Sequence, residues 1–339
     1  MPCHSPLVGK LLSNAQFRTD RDKYFDYKLA KPDPDRVLMP CRKCGYCRCR
    51  HATEVSARIM NERHFFEEAS FLTLTYDEKH ILDCPIFEYK NPWVELFGPD
   101  PEFDDDLESF RGRSLVRKHI VDFNKRLRRY LDYHYNKKVK IYYCGEYGSK
   151  NGRPHFHLIV LGHDFSDNRK FYKYGKKGRQ NPLYTSSVLD RIWNKGFTVI
   201  GDVTHQSVAY VARYSLKKLD SSLNTQCKRV GRVPEFFHFR SRKGAGYDYF
   251  NKYYREIYVH DKLIYKNVYG EIVKIPVPRY YDKLLAIKDP PLYEQVKRKR
   301  SKVKIVEVPY DRLPALKECF ESRTSSLVRR LEMEQKLVI

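Results

Sequence analysis

KIYYCGEYGSKNGRPHFHLIVL, residues 140–161, reads as two strands, Lys140–Glu146 and His155–Leu161, folded back on each other through Gly148–Pro154, a loop with two glycines and a proline. Side chains alternate along a strand with a period of two, so His155 and His157, flanking Phe156, point to the same face. Two imidazoles on one face can share a metal ion. The partner strand ends in Glu146, whose carboxylate could complete a His, His, Glu set with coordination positions left for water or phosphate. An isolated H-x-H also occurs on ordinary sheet faces, and the spacing alone leaves that reading open.

Working outward, FLTLTY (Phe71–Tyr76) alternates apolar residues with Thr and predicts another strand. Ser114 can cap a helix in which Val116, Ile120, Phe123, Leu127 and Tyr130 recur at helical spacing, with Lys118, Lys125, Arg126, Arg128 and Arg129 over the remainder. One side is core and the other cationic. Downstream, Phe197–Val203 reads as a strand and Thr204 opens a helix to about Lys218, with Val208, Val211, Ala212 and Ser215 on its packed side. Tyr210, Tyr214 and Lys217, at i, i+4 and i+7, share a stripe opposite that side. A phenol titrates near pH 10, so as a nucleophile it needs a metal on the phosphate or a nearby cation. Two tyrosines at this spacing also serve as half-buried packing.

These elements mix strands with helices around one antiparallel hairpin. Around it the sequence divides into an N-terminal Cys-rich and helical module (1–70), a central domain (71–218) and a basic C-terminal extension (219–339). The 339 residues carry 65 Lys and Arg against 42 Asp and Glu, a net charge of +23 that favours a polyanion. The longest apolar stretch, around Leu158–Leu161, is far too short to span a bilayer, and the first residues do not read as a secretion signal, so a cytoplasmic site of action with no membrane partner is expected. No G-x-x-x-x-G-K-[ST] is present, which argues against a nucleotide-driven motor. The 27 Tyr and 19 Phe serve mainly a core, although rings among cations also suit unstacked bases.

Cys41, Cys44, Cys47 and Cys49, followed by His51, have two successive C-x-x-C spacings that suit structural Zn2+, but four ligands so close together strain a tetrahedral site unless a distant residue such as Cys3 joins. Reduced thiols are the alternative. A helix is expected over Thr53–Glu68 and a surface loop over the acidic Pro99–Glu108. The basic segments Arg240–Gly246, which includes Arg242, and Lys297–Lys304 suit phosphate contact, and an amphipathic helix is expected after Pro314.

FLTLTY, RPHFH and YVARYSLKK, in that order, resemble the three motifs of the HUH rolling-circle replication endonucleases of the two-tyrosine superfamily. Cys41–Cys47, KRLRR (Lys125–Arg129), GEYG (Gly145–Gly148), Arg240–Gly246 and PRYYDK (Pro278–Lys283) extend the resemblance over nearly the whole chain, toward the gokushovirus (microvirus) replication initiation proteins. The resemblance implies an α+β fold, a central antiparallel sheet with helices packed mainly on one face. It implies that His155 and His157 bind Mg2+ or Mn2+, with Glu146 as third ligand by analogy with relatives that place a carboxylate on the neighbouring strand. It implies that Tyr210 and Tyr214 are paired nucleophiles aided by Lys217, with Arg213 where many relatives carry Lys. Lys125, Arg126, Arg128, Arg213, Lys218, Arg240 and Arg242 are then candidate DNA contacts. The implied substrate is single-stranded viral origin DNA in the host bacterial cytoplasm, with helicase and polymerase supplied by the host. A non-catalytic nucleic-acid-binding protein, or an HUH relaxase or transposase, would share parts of this pattern.

Overall fold

The hairpin forms as expected: strand β7 (Lys140–Tyr147) pairs antiparallel with β8 (Pro154–Leu161), with Glu146 opposite His155 and Cys144 opposite His157. A computed structural model of the chain describes residues 7–11, 17–24, 36–41, 44–90, 109–148, 152–175, 181–217, 227, 231–239, 243–266, 272–301 and 322. On the far side of β8 lies β4 (Ala69–Tyr76), which brings Thr73 opposite His157 and Thr75 opposite His155. Beyond it follow β11 (Gly196–Gly201), β10 (Pro182–Thr185) and the edge strand β9 (Lys170–Tyr174). At the other edge β12 (Phe236–His238) pairs with β7. The seven strands are antiparallel throughout, the sheet of an α+β fold.

The two faces of this sheet differ. One carries Leu72, Leu74, Phe156, Leu158, Val160 and Ile200, fully buried against Ile120, Phe123, Leu127 and Leu131 of helix α2 (Arg117–Tyr135) and Trp193 of α3 (Ser187–Trp193). Each such side chain contributes about 1.5–3 kcal/mol on burial, so this layer holds the domain together. Gly145 belongs to it, because a Cβ there would stand 2.8 Å from the Phe236 ring. Helix α4 (His205–Lys217) packs against β12, β7 and β8. It lies on the opposite face, since its Tyr210 ring meets His157 there. Of the described helices on this sheet, α2 and α3 therefore share one face and α4 covers part of the other.

Local sequence explains the ends of these elements, with two corrections. Thr204 and Ser207 cap α4 reciprocally: Ser207 N–H donates to Thr204 Oγ1 at 3.2 Å and Thr204 N–H to Ser207 Oγ at 2.8 Å. Ser114 does not cap α2. It is buried and accepts from Val233 N–H at 2.9 Å, tying down the approach to β12, while Val116 holds the cap position without a side-chain bond. The helix expected at Thr53–Glu68 is α1 (Gly45–Arg63), which starts inside the cysteine cluster and stops at Arg63.

The described chain groups into two units, residues 59–245 and a second made of Met1–Arg58 with Gly246–Leu337. The first holds the seven-stranded sheet and the hairpin β5 (Ile86–Lys90) with β6 (Ser109–Arg113). It reaches past residue 218, because Phe236–His238 is a strand of the central sheet. Three residues are too few to announce a strand by pattern. In the second unit, β1 (Leu7–Leu11), β2 (Phe17–Tyr24) and β3 (Arg36–Met39) form a small sheet. Helix α5 (Tyr247–His260), the hairpin β13 (Lys262–Lys266) with β14 (Ile272–Pro276), α6 (Arg279–Lys288) and α7 (Pro290–Ser301) share a core that includes Phe250, Tyr258, Tyr281 and Leu285. Arg300, from the Lys297–Lys304 run, is no free cation: Asp261 and Asp282 grip its guanidinium, and Tyr258 Oη donates to Asp282 at 2.8 Å. Pro99–Glu108, residues 302–304 and the segment following Pro314, apart from residue 322, lie outside the described residues. No helix among the described residues is long and apolar enough to cross a membrane.

Candidate active site

Cross-strand register assembles the site. Glu146 and His155 are direct partners, and His157, two residues on, shares their face. Glu146 Oε1 lies 2.5 Å from His155 Nε2 and 2.6 Å from His157 Nε2. Across the interface with α4, Tyr210 Oη donates to the same oxygen at 2.5 Å. The ligand atoms of Glu146, His155 and His157 all fall within 4.8 Å of one another. Glu146, His157 and Tyr210 are 3 %, 1 % and 2 % exposed. This corrects the reading of α4: Tyr210 does not ride a stripe opposite the packed side, but points into the sheet beside the buried Val211. The polar group it meets there lets a phenol occupy an interior position.

Three further residues set the imidazoles in place. His155 Nδ1–H donates to the Arg153 carbonyl at 3.0 Å, and His157 Nδ1 bonds Thr73 Oγ1 at 3.0 Å. Both rings therefore turn Nε2 toward Glu146, the arrangement by which outer hydrogen bonds orient metal-binding histidines. Phe71 stacks on His157 with centroids 5.4 Å apart and planes 15° from parallel. The only sequence signal for these residues is that Phe71, Thr73 and Thr75 alternate along FLTLTY and so share a face.

Electrostatics follow from burial and proximity. Burial alone would raise the Glu146 carboxyl, but the charges of His157 and His155 and the bonds from both rings hold it well below the usual carboxylate range. Burial pulls His155 down, yet the bonds to Glu146 and the Arg153 carbonyl carry it net upward; His157, wholly enclosed, is held down by burial. The Tyr210 phenol is driven far up by burial and by the adjacent Glu146 charge, so it stays protonated in this arrangement. Two imidazole nitrogens and a carboxylate oxygen, preoriented and converging, fit a divalent cation that keeps open positions.

The remaining candidates are placed as follows. Arg213, Tyr214 and Lys217 belong to α4, but their side chains lie outside the described residues, as do Lys218, Arg240 and Arg242 altogether. Lys125 and Arg128 are exposed on α2, whose core side packs against the sheet face opposite the histidines. Arg126 instead ties two helices together, its Nε donating to Ile192 O at 2.8 Å and its Nη2 to Trp193 O at 3.1 Å, which satisfies the last carbonyls of α3. In the other unit the sulfurs of Cys41, Cys44 and Cys47 lie within 4.8 Å of one another, and Cys44 N–H donates to Cys41 Sγ at 3.2 Å. Cys49 is buried but is not part of that group, and Cys3 lies outside the described residues. Three sulfurs at such spacing fit a soft cation such as Zn2+.

Residues 69–219 match the family described as Replication-associated protein ORF2/G2P, a span that holds both histidines, Glu146 and all of α4. Over 315 residues the chain is 30% identical to Replication-associated protein ORF2 of Spiroplasma virus 4, covering 89% of this chain and 87% of that one. The chain belongs to the microvirus replication-associated proteins. Within that family it is 32% identical over 255 residues to Replication-associated protein ORF4 of Chlamydia phage 1, covering 73% of this chain but only 53%, about half, of that longer protein. It is also 29% identical over 268 residues to Replication-associated protein VP4 of Bdellovibrio phage phiMH2K, covering 79% and 73%. No solved structure matches this replication-associated protein.

Proposed function

We propose that the chain initiates rolling-circle replication of a small single-stranded DNA phage by nicking and rejoining origin DNA, with Tyr210 as a nucleophile. What carries this reading is the single point, Glu146 Oε1, on which both histidine Nε2 atoms and the Tyr210 hydroxyl converge. A purely structural buried phenol needs one acceptor; it does not need two outward-tied imidazoles aimed at the same acceptor. Mg2+ or Mn2+ held by Glu146, His155 and His157 would supply positive charge to the scissile phosphate and offset the carboxylate beside the phenol.

The chain's own groups do the rest. Tyr210 Oη forms the bond to phosphorus as the bond from phosphorus to the 3′ oxygen breaks; the phenol releases its proton and the departing 3′ oxygen takes one up. The products are a 5′-phosphotyrosyl linkage and a free 3′-hydroxyl for a host polymerase, with a host helicase opening the duplex. Tyr214, one turn along α4, acts as the second nucleophile that cleaves the regenerated origin and allows rejoining, with Lys217 as a stabilising cation. Burial of Tyr210 excludes water from competing with it. The reaction takes place in the host cytoplasm. Cys41, Cys44 and Cys47 hold a structural Zn2+.

The test is covalent capture. Origin-bearing single-stranded DNA and Mn2+ should give a denaturant-stable protein–DNA adduct with the wild type and none with the Tyr210→Phe, Tyr214→Phe double variant. Equal behaviour of the two would leave a non-catalytic nucleic-acid-binding protein. An adduct that forms without any dependence on a replication origin would point instead to a relaxase or transposase.

A further inference from the structure

Among the described residues, only half of the sheet face bearing the histidines is covered. Helix α4 packs over β12, β7 and β8, whereas on the same face of β11 Phe197 stands 66 % exposed. Its position follows from the register. Glu146 pairs with His155, His155 with Thr75, and Thr75 with Phe197, so these four residues form one row across four strands. Strands lie about 4.8 Å apart, which puts Phe197 roughly 10 Å from His155 along that row. The other side chains of β11 obey the same alternation, with Thr198 and Ile200 buried on the opposite face.

Two strands further on, the sheet ends in β9, Lys170–Tyr174 (KFYKY), every residue of which is exposed. Lys170 pairs with Thr185 and Lys173 with Leu183, a residue that reaches toward Gly201 on the histidine face. The Lys173 ammonium lies 5.1 Å from the centre of the Tyr172 ring. An exposed edge strand invites pairing with another chain, and lysines on it disfavour that use. Rings and ammonium groups together on an open sheet suit a different occupant: bases need flat apolar partners, and phosphates need mobile cations.

We infer that Phe197 and β9 form a single-stranded DNA track that leads across the open half of the sheet from the Glu146, His155, His157 and Tyr210 pocket to the sheet edge, with Phe197 stacking on a base beside the scissile phosphate. The inference rests on the proposed nicking function for its substrate, but it concerns binding and is tested without cleavage. In the Tyr210→Phe, Tyr214→Phe background, anisotropy of a short fluorescein-labelled oligo(dT) and of a duplex of equal length is read against salt. Phe197→Ala should weaken oligo(dT) binding roughly 5- to 150-fold, the range that loss of one stacked base gives. Phe197→Trp should restore it, and duplex binding should change little. Lys170→Ala with Lys173→Ala should flatten the salt dependence by about 1.4 in logarithmic slope, two single-strand phosphate contacts. Oligo(dT) binding by Phe197→Ala within about twofold of its parent, or equal loss on duplex, overturns the track. Normal Phe197 dependence in a protein that forms no covalent adduct would overturn nicking and leave the track standing.

Discussion

Replacing Glu146 by Ala in the metal-free protein removes the oxygen on which half-buried His155 and buried His157 and Tyr210 converge, at 2.5, 2.6 and 2.5 Å. The variant leaves His155, carrying a raised affinity for protons, without the Glu146 charge, and leaves the buried Tyr210 hydroxyl without the Glu146 carboxylate. Deleting one partner of a buried charged pair costs about 3–5 kcal/mol. For a unit the size of residues 59–245 each kcal/mol moves the midpoint about 2–4 °C, so thermal unfolding should fall by roughly 6–20 °C. Glu146→Gln keeps an acceptor oxygen and should lose distinctly less. The assay is urea and thermal unfolding in EDTA, followed by circular dichroism. Folding holds the Glu146 carboxyl below its ordinary 4.5, so its contribution is complete above that pH and is lost as pH falls through the folded value. Wild type and Glu146→Ala should therefore converge in acid. Adding Mn2+ at about a hundred times its dissociation constant should stabilise the wild type by about 2.7 kcal/mol and the Ala variant by far less. A Glu146→Ala protein as stable as wild type in EDTA, with an unchanged Mn2+ response, would refute the reasoning.

Four other perturbations separate structural from functional roles. Gly196 has φ +140, and a Cβ there would stand 2.4 Å from Asp77 N and Thr75 O, so Gly196→Ala should lose about 3 kcal/mol or more in urea unfolding. Arg126→Ala should lose about 1–3 kcal/mol through the freed carbonyls of α3 while leaving the salt slope of DNA binding unchanged. Lys125→Ala, exposed on the same helix, should leave stability within about 0.5 kcal/mol. Elemental analysis of purified protein should find stoichiometric zinc that Cys44→Ser abolishes; protein without zinc that unfolds like untreated protein after chelation would remove the metal from that cluster.

Strongly local features are legible in the sequence. The alternation of PHFHLIVL places both histidines on one face, and the loop at Gly148 and Gly152 closes the hairpin that delivers Glu146. The apolar spacing of α2 identifies its core side because that periodicity needs no knowledge of partners. What is not legible depends on pairings between distant segments. The order β8, β4, β11 is what sets Thr73 against His157 and Phe197 in line with His155, and neither follows from any window of sequence. Helical spacing puts Tyr210 on the wrong side of α4 because the helix carries small residues and phenols on adjoining stripes, and only the acceptor waiting on the sheet decides which turns inward. Arg126 reads as one more surface cation until α3 supplies its carbonyls.

The proposed nicking function is tested most directly by locating the DNA on the protein. Trypsin cuts after Lys195, Arg213 and Lys217, so Tyr210 and Tyr214 fall in separate peptides, Gly196–Arg213 and Tyr214–Lys217. Mass spectrometry of the adduct formed with Mn2+ and origin single strand should find a nucleotide remnant on Tyr210 in Gly196–Arg213, absent when EDTA is present or His157 is replaced by Ala. A remnant on a residue outside α4, or an adduct that persists unchanged in EDTA and in His157→Ala, would contradict the account.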